Sequence, residues 1–277
     1  MAANAVPVLV NAADQQVNVI NELRDLVQHR NLLWNLVRRD LTVRYKRSVI
    51  GFFWTMLNPL LLMIILTVVF STIFRFEGID NYPTYFLSTY LVFGFYSQTT
   101  NQSMASLSWN GALMKRVRVP KSIFAVSTTL SGLANLGLAY IPLFLIMIVT
   151  GAPICITVLY LPISFLIIAM FTLGVSLLLS AMAVYFEDVQ HMYQVATFGL
   201  MYMTPIIYPI SIVPFKWLWV IRANPLTHLV KLARDPVYGC TLPGEHVIFA
   251  SVAASVIALV LGWVVFHRLA RGFYLHL

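Results

Sequence analysis

Charged residues are scarce in this chain of 277 residues, of which only 10% are Asp, Glu, Lys or Arg and 60% are hydrophobic. A soluble domain of this length carries roughly 25% charged residues. Most side chains must therefore face lipid or other membrane helices. The composition predicts an all-α integral membrane protein.

Acidic residues are the scarcer of the two charge types, with 10 Asp and Glu against 18 Lys and Arg. None of the acids lies in the middle of an apolar segment. Proton- or sodium-coupled transporters usually need intramembrane carboxylates or discontinuous helices around a central site, so the sequence argues against a secondary transporter. The excess of cations is typical of cytoplasmic loops that meet anionic headgroups. No nucleic-acid-binding module is visible, and we expect no nucleic-acid partner.

Motifs for nucleotide binding and catalysis are also missing. The chain has no GxxxxGK motif followed by Ser or Thr, and neither HExxH nor GxSxG, so it cannot bind ATP through a P-loop and is not expected to be an enzyme. Cys155 and Cys240 form neither a CxxC pair nor a metal-ligand cluster, and we expect no cofactor or metal in this chain. Both cysteines fall near the outer face, where we expect unpaired thiols, with a disulfide as the alternative.

Six apolar segments have about the 20 residues that a membrane-spanning helix needs. They are Phe52–Phe74, Tyr85–Leu107, Ile123–Val149, Ile154–Ala183, Val195–Ile212 and Val247–His267. Thirteen of the 18 Lys and Arg residues then lie on one side of the membrane, which predicts that both termini are cytoplasmic. A five-span chain without the proline-containing fifth segment is the less favoured alternative. The predicted divisions are a cytoplasmic segment 1–51, a transmembrane domain 52–267 and a cytoplasmic tail 268–277.

The N-terminal segment is predicted to form an amphipathic helix that lies along the membrane surface. It serves either as a simple anchor or as a docking surface for a cytosolic partner. Its basic end, directly before the first span, contains Arg38, Arg39, Asp40, Arg44, Tyr45, Lys46 and Arg47.

Two inner loops are candidates for contact with a partner. In the loop 109–122, Asn110 is predicted to cap a short helix that ends at Pro120, and a helix with an apolar tip and a basic edge suits a groove in another protein. An ordinary positive-inside loop is the alternative. The candidate residues are Asn110, Leu113, Met114, Lys115, Arg116, Arg118, Pro120 and Lys121. In the second loop, Glu187 and Asp188 are expected either to pair with cations of the N-terminal helix or to be solvated.

The outer region 212–247 contains apolar runs that are too short to span and are separated by prolines, which predicts re-entrant or interfacial helices. Trp217 and Trp219 lie in the first run. Asn224 and Pro225 match the start of a helix, with Asn as the cap and Pro at the first helical position.

Four segments in this order resemble the permease subunits of polysaccharide and teichoic-acid exporters in the ABC-transporter superfamily, with the greatest similarity to O-antigen exporters. They are RRDLTVRYKRSVIGFFWTMLNPLL at 38–61, LMKRVRVPKSI at 113–123, TPIIYP at 204–209 and NPLTHLVKLARDPVYG at 224–239. The family often has an arginine before the aspartate of the second inner loop, where this chain has Glu187.

The resemblance implies a homodimer of this chain in the bacterial inner membrane, with two copies of a separate ATPase subunit that binds ATP and Mg²⁺. It implies an interface helix at about residues 30–47, a coupling helix at 110–121, outer gate helices at 212–245 and a lipid-linked polysaccharide as substrate. A small-molecule or drug exporter of the same superfamily is the first alternative. A membrane enzyme or scaffold of glycan assembly is the second.

A glycan channel needs aromatic faces for sugar rings and polar groups for hydroxyls. The candidates assigned to spans one, two and five are Phe52, Phe53, Trp54, Tyr90, Phe93, Tyr96, Gln98, Tyr193, Tyr202 and Tyr208. Aromatic belts at the membrane interfaces are the competing interpretation for many of these residues.

Overall fold

The computed structural model describes residues 19–45, 53–70, 79–110, 119–186, 188–270 and 272–273. The elements in these ranges are helical, which confirms the all-α prediction. The α-helices are α1 Val19–Gln28, α2 Arg30–Tyr45, α3 Phe53–Val68, α4 Tyr82–Trp109, α5 Ile123–Thr150, α6 Leu161–Tyr185, α7 Asp188–Met203, α8 Phe215–Ala223, α9 Pro225–Tyr238 and α10 Glu245–Ala270, with 3₁₀ turns at Ile156–Tyr160 and Ile210–Ile212.

Three of the described helical segments are long and apolar enough to cross a membrane. They are α5, α6 together with the 3₁₀ turn before it, and α10. Helix α3 contains a shorter apolar stretch at Leu57–Val68. Helix α4 has 28 residues, but its second half includes the polar run SQTTNQS at 97–103. The six-span topology therefore stays a prediction for α3, α4 and α7.

The predicted fifth span, Val195–Ile212, has the wrong bounds. Helix α7 begins at Asp188 and ends at Met203, and residues 204–209 are not helical. Pro205 explains the early end, because a proline disfavours helical backbone at the residue before it and has no N–H to donate within a helix.

Helices α6 and α10 form the most extensive helix pair, and their backbones touch. A Cβ atom added to Gly174 would overlap the backbone of Ala258, and one added to Gly262 would overlap the carbonyl of Gly174. Ser255 Oγ donates a hydrogen bond to the Ile167 carbonyl across 2.9 Å in the same contact. Only glycine at these two positions allows so close a crossing.

The predicted N-terminal helix consists of two helices separated at His29. Leu36 and Val37 of α2 are buried, and α2 packs against α5. Trp34 and Val43 of α2 are more than half exposed. Helix α2 is thus attached to the helix bundle through Leu36 and Val37 and leaves two large apolar side chains exposed.

Cys155 and Cys240 form a disulfide, with their Cα atoms 5.5 Å apart, so the expectation of unpaired thiols is wrong. The cause is the packing of α9 against the 3₁₀ turn at Ile156–Tyr160. Thr157 Oγ1 in this turn donates a hydrogen bond to the Pro236 carbonyl across 2.7 Å. This contact brings together two cysteines that are 85 residues apart.

Candidate coupling and transport sites

Helix α2 is joined to the start of the loop 109–122 by one arginine. Arg39 Nη1 donates a hydrogen bond to Asn110 Oδ1 across 3.0 Å, and its Nη2 lies 3.1 Å from Asp40 Oδ1. Asn110 is buried, and its Nδ2 donates to the Ser106 carbonyl across 2.7 Å. The predicted role of Asn110 as the cap of a following helix needs correction, because its side chain closes α4 and its Oδ1 atom accepts from Arg39.

The far end of this loop is also held within the chain. Lys121 Nζ donates a hydrogen bond to the carbonyl of Ala270 and lies 5.2 Å from the ring centroid of Phe273. Burial lowers the pKa of Lys121. The prediction that this lysine contacts an ATPase stays a prediction, and within the chain its ammonium group binds the C-terminal region. Pro120, the predicted stop, lies in the non-helical stretch before α5.

Many of the predicted contact residues lie outside the part of the chain that the structure describes. They are Lys46, Arg47, Leu113, Met114, Lys115, Arg116, Arg118 and Glu187, together with the side chains of Arg44 and Tyr45. Among the described residues of the interface helix, Arg38 and Arg39 are exposed and Asp40 is half-buried. The coupling helix therefore stays a prediction.

Asp188 is exposed in the first turn of α7, where a carboxylate is favourable beside the positive end of the helix dipole. The ion pairs observed in the described part of the chain join Arg39 to Asp40 and Arg234 to Asp235. The predicted pairing of Asp188 with a cation of the N-terminal helix is not among them.

Three of the predicted channel aromatics are packed inside the chain. The ring centroid of Tyr96 lies 6.3 Å from that of Phe93 and 5.8 Å from that of Phe171 on α6. Tyr193 OH donates a hydrogen bond to Thr100 Oγ1 across 2.8 Å and so joins α7 to α4. Phe93, Tyr96 and Tyr193 are at most 9% exposed. This corrects their predicted role, because a passing substrate cannot reach side chains that fill the contacts among α4, α6 and α7.

The other candidates lie nearer the surface of the chain. Gln98 and Tyr202 are exposed, and Tyr90 and Tyr208 are half-buried. Phe52 lies outside the described residues, as do the side chains of Phe53 and Trp54. The accessible face of α4 carries Tyr90, Gly94, Gln98 and Gln102. Asn101 does not add to it, because its Nδ2 donates a hydrogen bond to the Ser97 carbonyl across 2.8 Å and its Oδ1 atom is buried. The face therefore presents an aromatic ring and two amide side chains in a row.

The non-helical backbone after α7 is held by two tyrosines of α4 that were not among the candidates predicted from the sequence. Tyr82 OH donates to the Ile207 carbonyl across 3.0 Å, and Tyr85 OH donates to the Tyr208 carbonyl across 2.8 Å. Arg234 Nη1 donates to the Tyr85 hydroxyl across 2.9 Å, with its guanidinium carbon 4.9 Å from the ring centroid. The sequence feature that could have indicated this role is the pair of tyrosines, Tyr82 and Tyr85, near the start of the predicted second span.

The start of α9 confirms the predicted helix cap. Asn224 Oδ1 accepts a hydrogen bond from the backbone N–H of Leu226 across 3.0 Å, and Pro225 is the first helical residue. Asn224 Nδ2 also donates to Thr204 Oγ1 across 3.0 Å, which attaches α9 to the end of α7. Trp217 and Trp219 on α8 are more than half exposed. Ile221 is the buried residue of α8, so this short helix is far less embedded than α9.

The model of the ABC-2 type transporter family matches residues 31–238. An O-antigen export system permease protein, RfbA of Myxococcus xanthus, is 30% identical over 245 residues, which cover 87% of this chain and 93% of the relative. RfbA of Klebsiella pneumoniae is 27% identical over 244 residues, covering 88% and 93%. The capsule polysaccharide export inner-membrane protein CtrC of Neisseria meningitidis serogroup A is 23% identical over 255 residues, covering 90% and 95%.

These matches confirm the resemblance to permease subunits of polysaccharide exporters that the four sequence segments indicated. The family match covers most of the chain, from the start of α2 to the end of α9. This chain belongs to the ABC-2 type transporter family.

Proposed function

We propose that this chain is the channel-forming membrane subunit of an ATP-driven exporter that moves a lipid-linked polysaccharide across the bacterial inner membrane. The observation that carries this proposal is the similarity to O-antigen and capsule export permeases, which extends over nearly the whole length of this chain and of each relative. The accessible amide face of α4 supports a polar, hydroxyl-rich cargo, because intramembrane polar side chains usually face a water-filled cavity or a partner helix.

The proposed topology has six crossings, by α3, α4, α5, α6, α7 and α10, with both termini in the cytoplasm. Helices α8 and α9 are proposed to be re-entrant or interfacial elements on the outer side. The disulfide supports this orientation, since disulfides persist in oxidising compartments outside the cytoplasm. The thirteen cations on the opposite side agree with the positive-inside rule.

A single chain leaves the amide face of α4 open, so the proposed channel requires a second copy. Helices α3 and α7 both pack on α4, and both expose large apolar side chains. Ile65 on α3 and Val195 on α7 are examples, at 59% and 75% exposed. These two helices supply the surfaces through which a homodimer could enclose the channel, with Gln98 and Tyr202 on the wall.

Energy is proposed to come from two copies of a separate ATPase subunit, which would hold ATP and Mg²⁺. Helix α2 is the proposed interface helix, and the loop 109–122 is the proposed coupling element. The contacts of α2 support this arrangement, because α2 binds Asn110 at the start of the loop and packs on α5 just after its end. Residues 113–118 would then be presented to the ATPase from a braced position.

Deletion of the gene tests the proposed function. We expect polysaccharide to disappear from the cell surface and to accumulate on the inner side, with both effects reversed by a plasmid-borne copy. Gln98→Ala and Tyr202→Ala should lower surface polysaccharide without loss of the protein from the membrane. The matched control is Leu145→Ala on α5, which removes a similarly exposed apolar side chain. Normal surface polysaccharide after deletion would refute the proposal.

A further inference from the structure

The inner end of α10 is capped by side chains from two different parts of the chain. Carbonyl groups in the last turn of a helix have no partner within the helix. Here the Leu269 carbonyl accepts a hydrogen bond from Tyr185 OH across 2.7 Å, and the Ala270 carbonyl accepts one from Lys121 Nζ. A cation at this position also interacts favourably with the negative end of the helix dipole.

The chain beyond α10 folds back into the same cluster. Phe273 is fully buried, with its ring centroid 5.6 Å from that of Phe266 and 6.0 Å from that of Tyr185. Gly272 donates its backbone N–H to the Leu269 carbonyl across 3.0 Å. A Cβ atom on Gly272 would overlap the Tyr185 hydroxyl, so a larger residue would displace that hydroxyl from its carbonyl.

The two capping residues belong to the two inner connections. Lys121 closes the loop 109–122, directly before α5. Tyr185 is the last residue of α6 and precedes the connection that contains Glu187. Both connections therefore converge on the C-terminal turn of a single helix, although Lys121 and Tyr185 are far apart in sequence.

Lys121 is partly removed from water, so its contacts must offset the cost of desolvating its charge. Desolvation disfavours the charged ammonium and lowers the pKa of Lys121. The Ala270 carbonyl and the face of Phe273 help to offset this cost, through a charge-assisted hydrogen bond and a cation–π contact. A lysine that served only to mark the cytoplasmic side would have stayed in water.

We propose that Lys121 and Tyr185 are positioning residues that lock both ATPase-facing connections to the end of α10, so that the three elements move as one unit during transport. We name this arrangement the C-terminal clamp; it consists of Lys121, Tyr185, Leu269, Ala270 and Phe273. The proposal rests on the proposed function. Its consequence is that breaking the clamp separates ATP hydrolysis from export without separating the subunits.

The test uses the intact complex of this chain with its ATPase subunit. Lys121→Met keeps the aliphatic stem and removes the charge, and Tyr185→Phe removes one hydroxyl. We expect assembly and ATP hydrolysis to persist while polysaccharide exported per ATP hydrolysed falls, by about tenfold for Lys121→Met and about threefold for Tyr185→Phe, in line with charged and neutral hydrogen bonds. Lys121→Arg should restore part of the ratio.

Matched controls lie away from the clamp. Arg24→Met removes an exposed cation from α1, and Tyr160→Phe removes a hydroxyl at the opposite end of α6. Both should keep the wild-type ratio of export to hydrolysis. If Lys121→Met fails to assemble, the decision rests on Tyr185→Phe, which leaves the ring in place.

A wild-type ratio in Tyr185→Phe, and in every assembled Lys121→Met complex, would overturn the clamp. This outcome is distinct from failure of the proposed function. If the function is wrong, deletion of the whole chain leaves surface polysaccharide unchanged. If only the clamp is wrong, deletion abolishes surface polysaccharide while both clamp variants export normally.

Discussion

Arg39 on α2 donates a hydrogen bond to Asn110 at the end of α4 across 3.0 Å, although the two residues are 71 positions apart. The same guanidinium group lies 3.1 Å from the Asp40 carboxylate, which holds it in place. Helix α2 cannot shift along the bundle without breaking this bond or moving the start of the loop 109–122. The bond therefore connects the proposed docking helix to the proposed coupling element.

Replacement of Arg39 by methionine should impair export. The substitution keeps an unbranched stem but leaves the buried Asn110 amide oxygen without this donor, which costs about 1–3 kcal/mol. We expect a several-fold fall in surface polysaccharide, measured at equal membrane levels of the protein. Arg38→Met, at the exposed neighbouring position, is the control. Equal export by the two variants would show that the bond between Arg39 and Asn110 does not contribute to coupling.

Replacement of Arg116 and Arg118 together by glutamate tests the proposed coupling loop, of which residues 111–118 lie outside the described residues. Reversal of the basic edge should weaken its contact with an ATPase, because like charges across an interface repel. We expect less ATPase to co-purify with the chain, or hydrolysis that no longer drives export. Arg24→Glu is the control for added negative charge on α1. Unchanged co-purification and unchanged export would count against this loop as the coupling site.

Alanine at Gly174 or Gly262 should destabilise the protein. Either methyl group would meet backbone atoms of the facing helix, and overpacking of this kind costs about 1–3 kcal/mol. We expect a lower midpoint of thermal unfolding in detergent. Gly137→Ala is the control, since a Cβ atom there has nothing within 4 Å and alanine favours the helix. A Gly262→Ala protein as stable as the Gly137→Ala protein would mean that the two backbones do not touch.

Loss of the disulfide between Cys155 and Cys240 should destabilise the protein. It closes a loop between residues 85 positions apart, and removal of such a bond costs about 2–4 kcal/mol. Cys155→Ser, Cys240→Ser and the double variant should show the same lowered unfolding temperature, because each removes the same bond. Mobility in non-reducing gels, with and without reductant, checks that the bond forms in cells. Thiols that react with an alkylating reagent before reduction would contradict both the bond and the proposed orientation.

The sequence predicted the helices well where local signals decide them. Apolar length indicated α5, α6 and α10, and an Asn-Pro pair marked the start of α9 to the residue. The end of α7 was placed too late because hydropathy continues past Met203 while Pro205 already prevents helical backbone. At this point a local steric effect outweighed the apolar pattern.

The sites were less predictable, because they depend on contacts between residues that are distant in sequence. Tyr96 and Tyr202 look alike in a list of intramembrane tyrosines, yet Tyr96 fills a contact between helices and Tyr202 is exposed. From the sequence, Lys121 could not be distinguished from the other cations of its loop, whereas in the fold its ammonium group binds the Ala270 carbonyl. The pairing of the two cysteines likewise depends on packing between segments that are 85 positions apart. Composition cannot distinguish these environments.

The close crossing of α6 and α10 has a mechanical consequence. With no side chain between Gly174 and Gly262, backbone meets backbone, so this crossing has no flexible side chain that could absorb a movement of one helix toward the other. Helix α6 has 25 residues and is therefore about 37 Å long. Its C-terminal end carries Tyr185, and the turn before its N-terminal end is joined through Cys155 to the end of α9. In the proposed topology, α6 therefore connects the cytoplasmic connections to the outer helices by direct contacts at both of its ends.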